Sequence, residues 1–317
     1  MVSLAFTFPG QGSQSIGMLA DLAADYRQVQ ESFAEASEVL GYDLWVLSQQ
    51  GPEARLNATE QTQPAMLAAG VAVARAWRAA GGPAPVVAAG HSLGEYAALV
   101  YAGSLDFADA VALVAARGRF MQEAVPEGQG AIAALLGLDD ARVLELCESV
   151  TDRSAGRIVS AVNFNAPGQV VIAGDAGAVE MAIALAGEAG ARKAIKLPMS
   201  VPVHCELMEP ARERLSAELD DTRLDAPEFP VVHNADNRTH REAAEIRDVL
   251  AQQLTRPVRW VESVTRLREH GATILVEPGP GRILTGLNKR IDRSLKTMAV
   301  HDSASLDKAL AELQVLT

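Results

Sequence analysis

Gly90-His91-Ser92-Leu93-Gly94 sets a serine between two glycines where a short apolar run, Pro85 to Ala89, gives way to a helical pattern, Glu95 to Tyr101. This context predicts a strand-to-helix turn that lifts the Ser92 hydroxyl clear of the fold as a nucleophile. The helix amino end lies beside it, where it can stabilise developing negative charge. The competing reading is a helix N-cap serine after a glycine turn. Side chains leaving a strand alternate in direction, so His91 is expected to point away from the site.

A second glycine loop, Phe8-Pro9-Gly10-Gln11-Gly12-Ser13-Gln14, follows the apolar run Val2 to Phe8. As a dinucleotide fingerprint it lacks its third glycine, because Ser15 stands there, and no acidic residue closes a second strand at the required distance. Beside the serine turn it has another use. The Gln11 backbone N–H can be aimed at the same oxyanion as the Leu93 N–H. Arg117 lies on a helix expected over Phe107 to Ala124 and shares a face with Leu113, Phe120 and Met121, so its guanidinium points into an apolar interior and needs a partner. Arg119 falls on another face and is expected to be solvated.

These residues need a scaffold. Val2 to Phe8, Pro85 to Ala89, Val231 to Asn234, Thr273 to Glu277 and Thr297 to His301 read as strands separated by Ala/Leu-rich helical segments, which implies a parallel sheet covered by helices. From about Gly128 to Pro198 the order changes. Ala131 to Leu136 reads as a strand, Asp139 to Val150 as a helix, and Ile158 to Phe164 and Val170 to Ala173 as paired strands. Ala176 to Ala189 is then a helix and Lys193 to Leu197 a last strand, an order that matches a ferredoxin-like unit. The expected organisation is a large α/β domain over 1–127 and 199–317 with a ferredoxin-like subdomain inserted over 128–198. A ligand cleft is expected between them.

Composition excludes several classes. The 317 residues carry a formal net charge of −12, which disfavours a nucleic acid partner. Two cysteines, Cys147 and Cys205, have no metal-ligand spacing and no disulfide framework around them, so both are read as reduced and no metal is expected. No apolar stretch is long enough to cross a bilayer, and the first residues read as a strand rather than a signal peptide, so no membrane association is expected and the placement is cytoplasmic.

In combination the motifs resemble the malonyl-CoA:acyl carrier protein transacylases of the dissociated, type II fatty acid synthase system, over essentially the whole chain. The resemblance rests on Gly10 to Gln14, Gly90 to Gly94, Arg117, the run Asn163-Phe164-Asn165-Ala166-Pro167-Gly168-Gln169, Val201-Pro202-Val203-His204, Gln253 and Glu277-Pro278-Gly279-Pro280-Gly281. It implies an α/β-hydrolase-like large domain, the inserted ferredoxin-like domain, and malonyl transfer from malonyl-CoA to acyl carrier protein through a covalent serine. No cofactor is implied, since the coenzyme A thioester is a substrate. It marks His204 as the base, Arg117 as the partner of the malonyl carboxylate, Gln253 as the residue whose backbone carbonyl orients the histidine, and Asn165 as a cleft residue. An acidic carrier protein needs local basic residues on an acidic enzyme, and the candidates are Arg192, Lys193, Lys289 and Arg290. Two rival readings stay open. One is an ordinary hydrolase using Ser92, Asp236 and His301, and the other is a binding module without catalysis built on the Gly10 loop.

Overall fold

The computed structural model of the chain describes residues 3–199 and 201–316, so the expected strand start at Val2 lies outside the described residues. In chain order its strands are β1 (Leu4–Phe8), β2 (Val87–Gly90), β3 (Gly130–Leu136), β4 (Val159–Ala166), β5 (Gln169–Asp175), β6 (Lys193–Lys196), β7 (Val231–Val232), β8 (Ile274–Pro278) and β9 (Lys296–Val300). Two sheets result. The first is parallel throughout, in the order β7-β2-β1-β8-β9, and the second is an antiparallel sheet in the order β4-β5-β3-β6.

Every residue of β1, β2 and β8 is buried, as required of strands covered on both faces. Their side chains alternate between two apolar layers: Phe6, Phe8 and Ala88 join Trp77 and Leu67 on one side, and Ala5, Val87 and Ala89 join Trp260 and Leu275 on the other. The helix Thr59–Ala79 is buried nearly all round and forms the centre of the first layer. Register matters most at the carboxyl edge. Phe8 pairs with Gly90, so the Gly10 loop and the Ser92 turn leave the sheet side by side.

The antiparallel unit has the expected order of strand, helix, strand, strand, helix, strand, with helices Asp140–Val150 and Ala176–Glu188. Each helix begins at an aspartate that accepts backbone N–H groups: Asp139 from Arg142, and Asp175 from Gly177 and Ala178. Its helix-facing core includes Leu135, Val143, Leu146, Val170, Ile172 and Val179, while Ile132, Val162 and Val171 pack with Cys205 on the opposite face. A backbone bridge joins the two units, with Val258 N–H donating to the Val162 carbonyl at 2.8 Å and Phe164 N–H to the Val258 carbonyl at 2.9 Å.

Some boundaries differ from expectation for visible reasons. The strand expected over Val231 to Asn234 ends at Val232, because the Asn234 N–H is taken by the Glu95 carboxylate and the His233 N–H by the Arg238 carbonyl. β4 runs past Phe164 to Ala166 through two register shifts against β5, and Asn165 lies in the second of them.

Candidate active site

Ser92 sits at φ 52, a left-handed conformation that is costly for a residue with a Cβ. The local packing enforces it. A Cβ on Gly90 would stand 1.9 Å from the Gly94 carbonyl carbon, so strand and helix touch backbone to backbone on either side of the serine. The Ser92 N–H donates to Asn234 Oδ1 at 2.7 Å, and the Asn234 amide donates back to the Gly90 carbonyl at 2.7 Å, pinning the turn at both ends.

His204 is the second non-glycine residue of the site in the left-handed region, at φ 69, and its N–H donates to the Leu254 carbonyl at 2.9 Å. Its Nδ1–H donates to the Gln253 backbone carbonyl at 2.7 Å. A carbonyl only accepts, so Nε2 is left unprotonated, and Nε2 accepts the Ser92 hydroxyl at 2.8 Å. Burial, with the Arg117 cation next in effect, holds the imidazole down at about 3 from its ordinary 6.5. The pair is therefore a neutral base on a hydroxyl that is itself partly exposed.

Arg117 is fully buried, as its helix face requires. Its NH2 donates to Ser92 Oγ at 3.2 Å and to Gln253 Oε1 at 2.9 Å, and its NH1 donates to Gln63 Oε1. All these acceptors are neutral. Among the described residues no carboxylate forms an ion pair with Arg117, which disposes of an internal salt bridge as its partner. Burial lowers the guanidinium's affinity for its proton, the signature of a cation without a counter-charge in contact.

The Gly10 loop lies against the serine turn, since a Cβ on Gly10 would stand 2.5 Å from the His91 carbonyl oxygen. Among the described residues neither the Gln11 N–H nor the Leu93 N–H is spent on a protein acceptor. His91 turns to Asn165, whose Oδ1 lies 2.8 Å from Nε2, and stacks obliquely on Trp260, while burial lowers its pKa. Asn165 thus reaches the serine turn from the antiparallel sheet.

Arg192, Lys193, Lys289 and Arg290 are all exposed. Arg290 also donates to the Gln169 side chain and the Pro167 carbonyl, tying the helix Ile283–Ile291 to the turn between β4 and β5. The hydrolase constellation does not assemble. Asp236 bonds His240 at 2.8 Å and His301 lies beside Asp302, whereas Ser92 is bonded by His204. Burial raises both thiols to about 12, and among the described residues no group of three or more His, Cys, Asp or Glu could hold a metal. Three residues of the site escaped sequence reasoning: Gln63, Glu95 and Asn234. Only Glu95 left a local trace, as an acid in the otherwise apolar helix Gly94–Tyr101.

Residues 5–306 match the family described as the acyl transferase domain, so the class is acyltransferase. The chain is 54% identical over 312 residues to the malonyl CoA-acyl carrier protein transacylase of Salmonella typhimurium, covering 98% of this chain and 100% of that one. It is 44% identical to the Bacillus subtilis protein of the same name, with 99% and 98% covered. Among solved structures, the malonyl CoA-acyl carrier protein transacylase of Coxiella burnetii superposes with a TM-score of 0.95 at 48% identity, covering 98% of both chains. A malonyl-transacylase solved in complex with its type II PKS acyl carrier protein gives 0.95 at 54% identity, with 98% and 99% covered. The chain belongs to the malonyl CoA-acyl carrier protein transacylase family.

Proposed function

We propose that this chain, acting in the cytoplasm, moves the malonyl group of malonyl-CoA to the phosphopantetheine thiol of acyl carrier protein through a malonyl ester on Ser92. The observation that carries this reading is the convergence on one hydroxyl of a neutral imidazole and a buried guanidinium with no carboxylate in contact. His204 Nε2 takes the hydroxyl proton as Ser92 Oγ attacks the thioester carbonyl, and the Gln11 and Leu93 N–H groups receive the tetrahedral oxyanion. The carbon–sulfur bond then breaks, and His204 returns the proton to the coenzyme A sulfur. In the second half the carrier thiol gives its proton to His204 and its sulfur attacks the ester carbonyl; the bond from that carbon to Ser92 Oγ then breaks, and His204 returns the proton to Oγ. Arg117 meets the malonyl carboxylate with its planar fork. No cofactor enters this scheme.

In this reading the parallel unit, 1–127 with 199–317, is an α/β-hydrolase-like domain and 128–198 a ferredoxin-like insertion, with the acyl site where they meet. Arg192, Lys193, Lys289 and Arg290 are the candidate contacts for an acidic carrier protein. The test is intact mass after mixing with malonyl-CoA alone, followed by peptide mapping. One malonyl adduct on Ser92, discharged by carrier protein and absent from Ser92→Ala, is expected. An adduct persisting in that variant refutes the assignment.

A further inference from the structure

Glu95 is completely buried directly beneath the site, and it has no place in the chemistry just described. Its carboxylate gathers three N–H donors. Oε1 lies 2.7 Å from His233 Nδ1, and Oε2 accepts from the Asn234 backbone at 2.9 Å and from Gln253 Nε2 at 2.7 Å. Each of these partners leads upward. Asn234 holds the Ser92 N–H and the Gly90 carbonyl through its side chain. Gln253 holds His204 through its backbone carbonyl, and its amide donates to the Ser92 carbonyl at 3.0 Å.

The orientation of the Gln253 amide decides what the site receives. Because Nε2 is spent on two oxygens, Glu95 Oε2 and Ser92 O, the amide must turn its Oε1 to Arg117 NH2. Glu95 and Arg117 therefore face each other across one amide, an anion at its N–H end and a cation at its carbonyl end, and each end is polarised in the sense that strengthens its hydrogen bond. A buried carboxylate left with polar donors alone is unfavourable, as is a guanidinium with neutral acceptors alone. The Glu95 charge supports the Arg117 cation across this amide.

We propose that Glu95 is a positioning residue for malonyl transfer: through the Gln253 side chain it sets the Arg117 guanidinium and the His204 loop, and through Asn234 it sets the turn carrying Ser92. The proposal rests on the reading of Ser92, His204 and Arg117 given above. It assigns Gln253 a second role, since its side chain, distinct from its backbone carbonyl, couples the carboxylate-binding residue to the nucleophile and base.

A double-mutant cycle tests this. Glu95→Gln keeps the size and both kinds of hydrogen bond but removes the charge, and Gln253→Met keeps the backbone carbonyl on His204 but removes the bridging amide. Each is expected to remain folded by near-ultraviolet circular dichroism. Each is expected to slow single-turnover acylation by malonyl-CoA about ten- to a hundredfold, the scale of a small misplacement at a reacting centre, while KM moves less than about threefold. The combined variant is expected to be no slower than the worse single one, because both changes cut the same link. Discrimination between malonyl-CoA and acetyl-CoA falls in each of the three. A residue that only fills the core would depress both substrates equally. Losses that multiply in the double variant, or a Glu95→Gln enzyme with wild-type rates and selectivity, overturn the proposal. Should Glu95→Gln fail to fold, Glu95→Asp replaces it in the same cycle, with the same non-multiplying loss expected. Ser92→Ala run alongside separates the two readings: an adduct there refutes the nucleophile itself, whereas a blocked Ser92→Ala with an unimpaired Glu95→Gln refutes only the role of Glu95.

Discussion

Replacing Arg117 by Met keeps a long apolar stem in the helix Phe107–Ala124 and removes the cation alone. Malonyl differs from acetyl by one carboxylate, which sheds water on entering the site and is acceptable there only against a fixed positive charge. Truncating one partner of such a buried pair costs about 2–5 kcal/mol, so kcat/KM for malonyl-CoA should fall by roughly 30-fold to several thousandfold. Acetyl-CoA loses nothing comparable. The Arg117 to Ser92 hydrogen bond, at 3.2 Å, disappears for both substrates, and its worth of about 1.5–3 kcal/mol, the range for a charged donor, cancels in the ratio of the two.

The assay is single-turnover acylation followed by intact mass, with malonyl-CoA and acetyl-CoA compared in wild type, Arg117→Met and Arg117→Lys. The lysine variant is expected to recover only part of the malonyl rate, because an ammonium cannot offer two parallel N–H groups. Thermal stability of Arg117→Met should fall, since the change leaves the Gln63 and Gln253 side-chain oxygens without their donor and the buried Glu95 without an opposing charge. Equal losses for the two thioesters would show that Arg117 holds the fold and not the substrate, and the account of selectivity would be wrong.

His204→Ala should slow acylation by about a hundredfold or more with the fold intact, the usual scale for losing a general base, and a residual rate within a few-fold of wild type would assign the proton to another group. Because burial and Arg117 hold His204 near 3, its base form persists in mild acid, so kcat/KM for malonyl-CoA should stay level from pH 8 to about pH 5; a half-maximum near 6.5 would contradict this. Burial lifts the Glu277 carboxyl to about 7 although it accepts the Leu284 and Thr285 N–H groups. A raised carboxyl pKa means the folded state holds a proton the unfolded state has lost, so stability present below about 4.5 declines as pH rises through 7. Relative to Glu277→Gln, wild type should lose up to about 3 kcal/mol between pH 5 and 8 in urea unfolding, and parallel curves would refute the shift. Charge reversal at Lys193 and Lys289 should raise the KM for carrier protein and leave acylation by malonyl-CoA unchanged; equal loss in both half-reactions would point to misfolding instead.

Ser92 was legible in the sequence because its signal is local. Gly90 is there for a backbone contact with Gly94 inside the motif itself, whereas Gly94 makes room for the Phe8 carbonyl of the neighbouring strand. Arg117 was half legible, since helical periodicity gave its face but not its acceptors, which come from Gln63, Ser92 and Gln253. His204 carries no such local mark. Its two partners lie 112 and 49 residues away, and without the family resemblance it was one histidine among six. Glu95 stands beside the motif but gives little sequence signal of its role, because all three of its hydrogen-bond partners arrive from residues 233 to 253. Periodicity predicts faces, and these contacts depend on which loops the sheet order brings together.

If Arg117 meets the malonyl carboxylate and His204 is the base, as proposed above, the choice of a backbone carbonyl behind His204, where a triad would have a carboxylate, follows from what the site must bind. Gln253 presents one oxygen to His204 Nδ1 and another to Arg117 NH2, 2.7 and 2.9 Å away. A carboxylate there would pair with the guanidinium, cancel the charge that selects the substrate, and repel the malonyl carboxylate as it arrived. The neutral amide orients both groups without competing for either, at the cost of an imidazolium that is harder to form beside an unneutralised arginine. Malonyl itself removes that difficulty. Once its carboxylate covers Arg117, the second-largest influence holding the His204 pKa down is offset at the moment the base must take a proton. On that assignment, the anion a triad would set against the histidine enters with the substrate, so charge balance at the base is complete only when the correct acyl group is bound.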